Sequence, residues 1–241
     1  MIFLFIETQV KEEKKTTLNP PIFMINYKAY REAIGENAAN LTEVVEDIAQ
    51  SYKEITFIIA PQASDIRLLN NIVQRTLIFA QHADPIDPGA HTGHIPLEAL
   101  KYAGIKGVMI NHSEKRIDFD SIKYLVEKAK HLGLMSCVCA DTPELSEKVA
   151  NLKPNFVAFE PPELIGTGIS VSKAKPELLV ESVKKITIAG KGLVIPVCGA
   201  GISNGEDVKK AFELGSKGIL VASAIVKSKD PYNKIIEMAN A

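Results

Sequence analysis

Short, almost wholly apolar runs alternate along the chain with longer segments in which apolar residues recur every three or four positions. Eight such runs occupy residues 22–26, 56–60, 77–81, 107–111, 134–140, 155–160, 193–199 and 218–224. Their β-rich, near-continuous apolar character predicts strands covered on both faces, as in a parallel sheet flanked by helices. Between the runs, Leu41, Val44, Val45, Ile48 and Ala49 fall on one stripe, and Ile122, Leu125, Val126, Ala129 and Leu132 on another. Both follow the i, i+3, i+4, i+7 spacing of a helix with one buried face. Residues 203–215 open on capping residues and close on a glycine, and residues 230–241 place Pro231 in the first turn of a last helix. Each predicted strand is thus followed by a helix.

Eight strand–helix units in 241 residues predict an α/β fold, a single (β/α)8 barrel over residues 21–241. An open doubly wound sheet would show similar local patterns and fits the count less well. Residues 1–20 fall outside the scheme. Their charged stretch, QVKEEKKTTLNP, lacks a clear apolar face and stops at Pro20 and Pro21. They read as an N-terminal extension, either a flexible tail or, through MIFLFIE, a segment packed on another surface.

Composition removes several classes of function. Lys plus Arg number 28 against 29 Asp plus Glu, so no strongly basic surface is forced and nucleic acid is not a favoured partner. The opening MIFLFI is too short to span a bilayer and has no positive charge ahead of it, which predicts a cytoplasmic protein without a membrane partner. Three cysteines make no disulfide framework. Cys137 and Cys139 share one apparent strand, where they are expected on opposite faces as buried free thiols.

A barrel gathers its chemistry at the C-terminal ends of its strands. There the first run ends in Asn26 and Lys28, which can face the same side; the fourth is followed by His112; the sixth ends at Glu160. Singly these signals are weak, because most lysines and glutamates are solvated and a lone histidine is more often structural. Together, a lysine, a histidine and a glutamate at three strand ends suggest proton transfer. After the seventh and eighth runs, CGAGIS and VASAIV place small residues where backbone N–H groups can approach a phosphate. Tight strand–helix packing would explain the same residues.

The segments NYK, NHSEKR, FEPPELIGTG, CGAGIS and LVAS occur in that order from residue 22 onward. In them the chain resembles the triosephosphate isomerase family, in its shorter archaeal-type form. The resemblance implies interconversion of dihydroxyacetone phosphate and D-glyceraldehyde 3-phosphate without metal or organic cofactor. By the same resemblance Glu160 is the base, His112 the electrophile, Lys28 the cation in the site and Asn26 a substrate contact. Gly201, Ala222 and Ser223, with Ile165 in a lid, would contact the phosphate through their backbone, and Glu163 would be a lid residue between a Pro161–Pro162 hinge and Gly166 and Gly168. Glu114 would support the site from behind. A helix start close to His112 would keep its ring neutral.

The chain departs from many relatives in having no tryptophan at the first hinge, Cys198 in place of a latching tyrosine, Ala222–Ser223 in place of paired glycines, and Lys115 in place of an arginine. His82, His91 and His94 with Asp84 and Asp87 match no zinc spacing; the resemblance makes their loop an interface of a homo-oligomer, a homodimer or homotetramer. His131, ahead of Gly133, is expected to help end its helix. Two other readings stay open on the residues: an aldolase using Lys28, or another lysine in the barrel, as a Schiff-base nucleophile, and a barrel serving only as an interaction scaffold.

Overall fold

In a computed structural model, which describes residues 18, 20–161 and 170–241, eight parallel strands close into a barrel in sequential order. They are β1 (Ile22–Asn26), β2 (Thr56–Ala60), β3 (Leu77–Ala80), β4 (Gly107–Ile110), β5 (Met135–Ala140), β6 (Phe156–Phe159), β7 (Ile195–Cys198) and β8 (Gly218–Val221). Closure is made by β1, whose Ile22 pairs with Thr56 on one side and with Gly218 on the other. Around the strands run α1 (Glu36–Ser51), α2 (Ile66–Leu69), α3 (Leu97–Ala103), α4 (Phe119–His131), α5 (Pro143–Ala150), α6 (Val171–Ala174), α7 (Pro176–Ala189), α8 (Gly205–Glu213), α9 (Ser223–Val226) and α10 (Pro231–Ala239). The (β/α)8 expectation holds, and the open-sheet alternative does not.

Strand alternation sorts the apolar residues into two cores. Ile22, Met24, Ile58, Phe79, Met109, Phe156 and Val197 fill the barrel interior. Phe23, Ile25, Phe57, Ile59, Val108, Ile110 and Val157 face outward onto the helices. Cys137 and Cys139 both belong to the interior set. The expected opposite faces are therefore wrong: residues two apart on a strand share a face. Gly107 leaves room for one of the largest interior side chains, since a Cβ there would lie 2.4 Å from the Phe79 ring.

Several predicted strands end early. The eighth stops at Val221, and Ser223 already opens α9, because a strand reaching the barrel mouth must turn back into its helix. The predicted helical stripes are met at Leu41, Val45, Ile48 and Ala49 of α1 and at Ile122, Leu125, Val126 and Ala129 of α4, all buried. Val44 and Leu132 are only partly covered. His131 is the last residue of α4, followed by Gly133 in a left-handed turn at φ 71°.

The same face of α1 buries a carboxylate. Glu46 is 7% exposed, and it accepts hydrogen bonds from Gln50 Nε2 at 2.6 Å, Arg75 N at 3.0 Å and Thr76 N at 2.9 Å. Burial pushes its carboxyl up, but these donors outweigh burial and hold it below the ordinary value. A carboxyl depressed by folding stabilises the fold above its unfolded pKa and loses that contribution as pH falls through the folded one. Glu46→Ala should therefore cost about 2 kcal/mol at neutral pH. Urea titrations should show the deficit shrinking as the solution is acidified below the ordinary carboxylate range.

Candidate active site

The interior alternation continues past the strand ends and selects the residues at the mouth. Ile22 and Met24 lead to Asn26, Phe156 and Ala158 to Glu160, and Ile195 and Val197 to Gly199. Glu160 follows β6 directly, and its N–H donates to Ala140 O at 2.8 Å, so the barrel ladder itself fixes the base of its side chain. It is 3% exposed.

Alternation alone would send His112 outward with Val108 and Ile110. Asn111 breaks the pattern with a left-handed backbone at φ 62°, stabilised by its Nδ2 donating to Cys139 O at 3.0 Å and its Oδ1 accepting from Ile117 N at 3.1 Å. Asparagine tolerates this region better than most residues. The ring of His112 then lines the mouth with Glu160.

The tautomer of His112 follows from its partner. Glu114 N donates to Nδ1 at 3.2 Å, so Nδ1 is an acceptor and the ring proton of the neutral imidazole sits on Nε2. Of the turn or helix expected after His112, the structure has a turn, in which Lys115 N donates to His112 O at 2.8 Å, and α4 begins only at Phe119. Nε2 lies 3.8 Å from Glu160 Oε1, too far for a hydrogen bond, so the imidazole and the carboxylate face one space without bonding each other.

Lys28 lines the same mouth in a strained backbone, φ 49°. Two amides hold it there. Gln62 Nε2 donates to Lys28 O at 2.6 Å and Gln81 Nε2 at 2.9 Å, while Lys28 N donates to Asn26 Oδ1 at 2.9 Å. Its ammonium donates to Glu114 Oε1 at 2.9 Å. Glu114 thus supports both the cation and the histidine, as expected of it. Sequence reasoning missed Gln62 and Gln81, yet the rule that picked Lys28 and Glu160, polar residues ending strands, applied to β2 and β3 finds both.

Burial pushes the Glu160 carboxyl up; the His112 ring, the neighbouring Cys139 thiol and Lys28 pull against this without overcoming it. Glu160 Oε2 has no hydrogen-bond partner among the described residues. Thr76 and Glu98 each share that status at one buried atom, but only Glu160 lines the mouth.

The cavity enclosed by these groups measures about 210 Å³, below the usual range for drug-sized ligands. Asn26, Lys28, His112 and Glu160 line one part of it, and Gly201, Ala222 and Ser223 another. Gly199 and Ser203, both within the CGAGIS segment, also reach it, as does Tyr30, which the sequence did not single out. Gly199 is set by its neighbour: a Cβ there would stand 2.4 Å from Glu160 Cγ. Ile165, Glu163, Gly166 and Gly168 lie outside the described residues. In the histidine loop, His82 Nε2 is 3.4 Å from Asp84 Oδ1, whereas Asp87 accepts from Tyr124 and Lys128 at 2.8 and 2.7 Å and so fastens the loop to α4.

The family model described as triosephosphate isomerase matches residues 21–239. Proteins named triosephosphate isomerase are similar over nearly the whole length of both chains. That of Methanothermus fervidus is 45% identical over 221 residues, 92% of this chain and 98% of its own; that of Methanocaldococcus jannaschii is 45% identical over 217 residues, 90% and 98%. That of Caldivirga maquilingensis is 49% identical over 219 residues, 91% and 96%. The barrel, the mouth and these matches agree, and the chain belongs to the triosephosphate isomerase family.

Proposed function

We propose that this barrel interconverts dihydroxyacetone phosphate and D-glyceraldehyde 3-phosphate, with Glu160 as the single base, His112 as the electrophile and Lys28 as the fixed cation. The observation that carries the reading is the convergence of Glu160 Oε1 and His112 Nε2, 3.8 Å apart, on a small cavity that Gly201, Ala222 and Ser223 also line. Moving a carbonyl by one carbon requires a proton to leave the carbon beside it and return to the neighbouring carbon. One carboxylate placed over both carbons can do each transfer in turn. The enediolate formed between the two steps carries negative charge on oxygen. The Nε2–H of a neutral His112 donates to that oxygen, and the Lys28 ammonium stabilises it by charge alone. No step as written calls for a metal or an organic cofactor.

Asn26 positions the substrate beside Lys28. The backbone at Gly201, Ala222 and Ser223 holds the phosphate, so that binding far from the reacting carbons fixes them in place. Residues 21–241 form the catalytic barrel, with residues 1–20 an appendage and Ile165 a further phosphate contact. The loop from His82 to Ile95, exposed over much of its length and fastened from beneath by Lys128, serves as the contact of a homodimer or homotetramer. The protein works in the cytoplasm, in glycolysis and gluconeogenesis; no helix among the described residues is long and apolar enough to cross a membrane.

A coupled assay with D-glyceraldehyde 3-phosphate tests the reaction: absence of isomerisation by the wild-type protein would sink it. The aldolase reading is separable by borohydride reduction with a ketose phosphate. Lys28 Nζ is occupied in donating to Glu114, so no covalent adduct should be trapped. His112→Gln should lower kcat by about 10² to 10³-fold, the usual loss for one donor to an oxyanion. Steady-state kinetics should show KM changing far less than kcat.

A further inference from the structure

Asp207 lies in the first turn of α8, 2% exposed, four residues beyond the Ser203 that lines the cavity. Its Oδ2 accepts from Ser203 N at 3.0 Å and from Ser203 Oγ at 2.7 Å. Its own N–H donates at 3.0 Å to Oδ1 of Asn204, the N-cap of α8. On the other side, Oδ1 stands 3.1 Å from Lys173 Nζ, and the Asp207 carbonyl accepts from Ser172 Oγ at 3.4 Å. Ser172 in turn shares a 2.6 Å hydrogen bond with Ser170, and both serines are buried. One buried carboxylate therefore joins the turn after β7 to α6.

A carboxylate behind a phosphate cradle calls for an explanation, since an unpaired one would repel the ligand and be costly to bury. Here it is paired. Burial pushes the Asp207 carboxyl up, but Ser203 and Lys173 outweigh burial and hold it below its ordinary value, so it is ionised and neutralised by Lys173. What it accomplishes is shape. The turn from Gly199 to Asn204 contains two glycines, one of them, Gly201, left-handed at φ 71°, and such a turn has many conformations available. Ordering it only when ligand arrives would subtract from affinity. Bonding both the N–H and the hydroxyl of Ser203 orders it beforehand.

We propose that Asp207 is the positioning residue of the phosphate cradle: through Ser203 it locks the turn that carries Gly201, and through Lys173 and Ser172 it ties that turn to the helix following residues 162–169. The proposal rests on the function proposed above and assigns the grip on phosphate to a residue that does not touch it.

Steady-state kinetics of Asp207→Ala and Asp207→Asn, with inorganic phosphate as a competitive inhibitor, test it. In Asp207→Ala, KM for D-glyceraldehyde 3-phosphate and the inhibition constant of phosphate should rise together by about tenfold. The turnover number should fall by less, and Asp207→Asn should lie between the alanine variant and wild type. A merely structural role would lower the melting temperature or the active fraction and leave both constants where they were. The proposal is overturned if a folded Asp207→Ala keeps both constants within twofold of wild type, or loses turnover without a change in either. If Asp207→Ala does not fold, Ser203→Ala and Lys173→Met carry the test: about threefold rises in both constants support it, and unchanged constants in both variants overturn it. A wild-type protein that neither isomerises nor is inhibited by phosphate overturns the functional reading and this proposal together. An active, phosphate-inhibited wild type with unshifted variants overturns this proposal alone.

Discussion

Glu160→Gln should lower kcat/KM for D-glyceraldehyde 3-phosphate by about 10³-fold, the middle to upper range for loss of a general base, while a phosphate-bearing mimic of the enediolate still binds. The amide keeps the length and shape of the carboxylate and cannot accept the proton. Retention of full rate in the coupled assay would show that the base has been misassigned. The same substitution should raise stability. The carboxyl of Glu160 is pushed above its ordinary value chiefly by burial, and a group whose folded pKa is raised contributes stability that is complete below its unfolded pKa and lost as pH rises through the folded one. Above its folded pKa the wild type holds a buried charge that the neutral amide of the variant would not. There we expect a melting temperature higher by about 2 to 4 °C in the variant, with the two proteins converging once the solution is more acid than the ordinary carboxylate range. The base must also be ionised to work, so wild-type kcat/KM should fall on the acid side at a pH above that expected of a solvated glutamate.

Gly199→Ala should also slow the reaction, by acting on Glu160 from the neighbouring strand. The added methyl would stand 2.4 Å from Glu160 Cγ and 2.9 Å from its Oε1, closer than real Cβ contacts come. Gly199 is held by its N–H donating to Phe159 O at 3.0 Å, while Glu160 Oε2 has no hydrogen-bond partner among the described residues. The carboxylate must therefore give way. A displacement of about 1 Å at the reacting groups costs about 10²-fold in rate, so kcat should fall by that order with KM little changed. Overpacking should also cost about 1 to 3 kcal/mol of stability. A Gly199→Ala enzyme with normal kcat would show that Glu160 works from a different rotamer than the one in this structure.

Much of this is legible in the sequence because barrel architecture converts strand periodicity directly into position. Apolar runs of five to seven residues, separated by amphipathic helices, are enough to specify eight strand–helix units, and the strand ends then nominate Asn26, Lys28, His112 and Glu160. What is not legible depends on contacts between distant segments. Nothing near Gly199 in the chain announces that Glu160 packs against it across a strand pair, and nothing near Asp207 announces Lys173. The contact made by His112 Nδ1 is equally unannounced: it comes from the N–H of Glu114, two residues on in a turn. The error over Cys137 and Cys139 is one of counting along a strand, and their shared interior face puts the Cys139 thiol beside the base.

The backbone of Lys28 has an implication for how such a protein could be engineered. A lysine at φ 49° is held against its own preference, at a cost on the order of 1 to 3 kcal/mol, by carbonyl-directed amides from two neighbouring strands. Glycine would sit there without that cost. A library screened only for resistance to heat would thus be rewarded for discarding the ammonium, and thermostability and catalysis would draw position 28 in opposite directions.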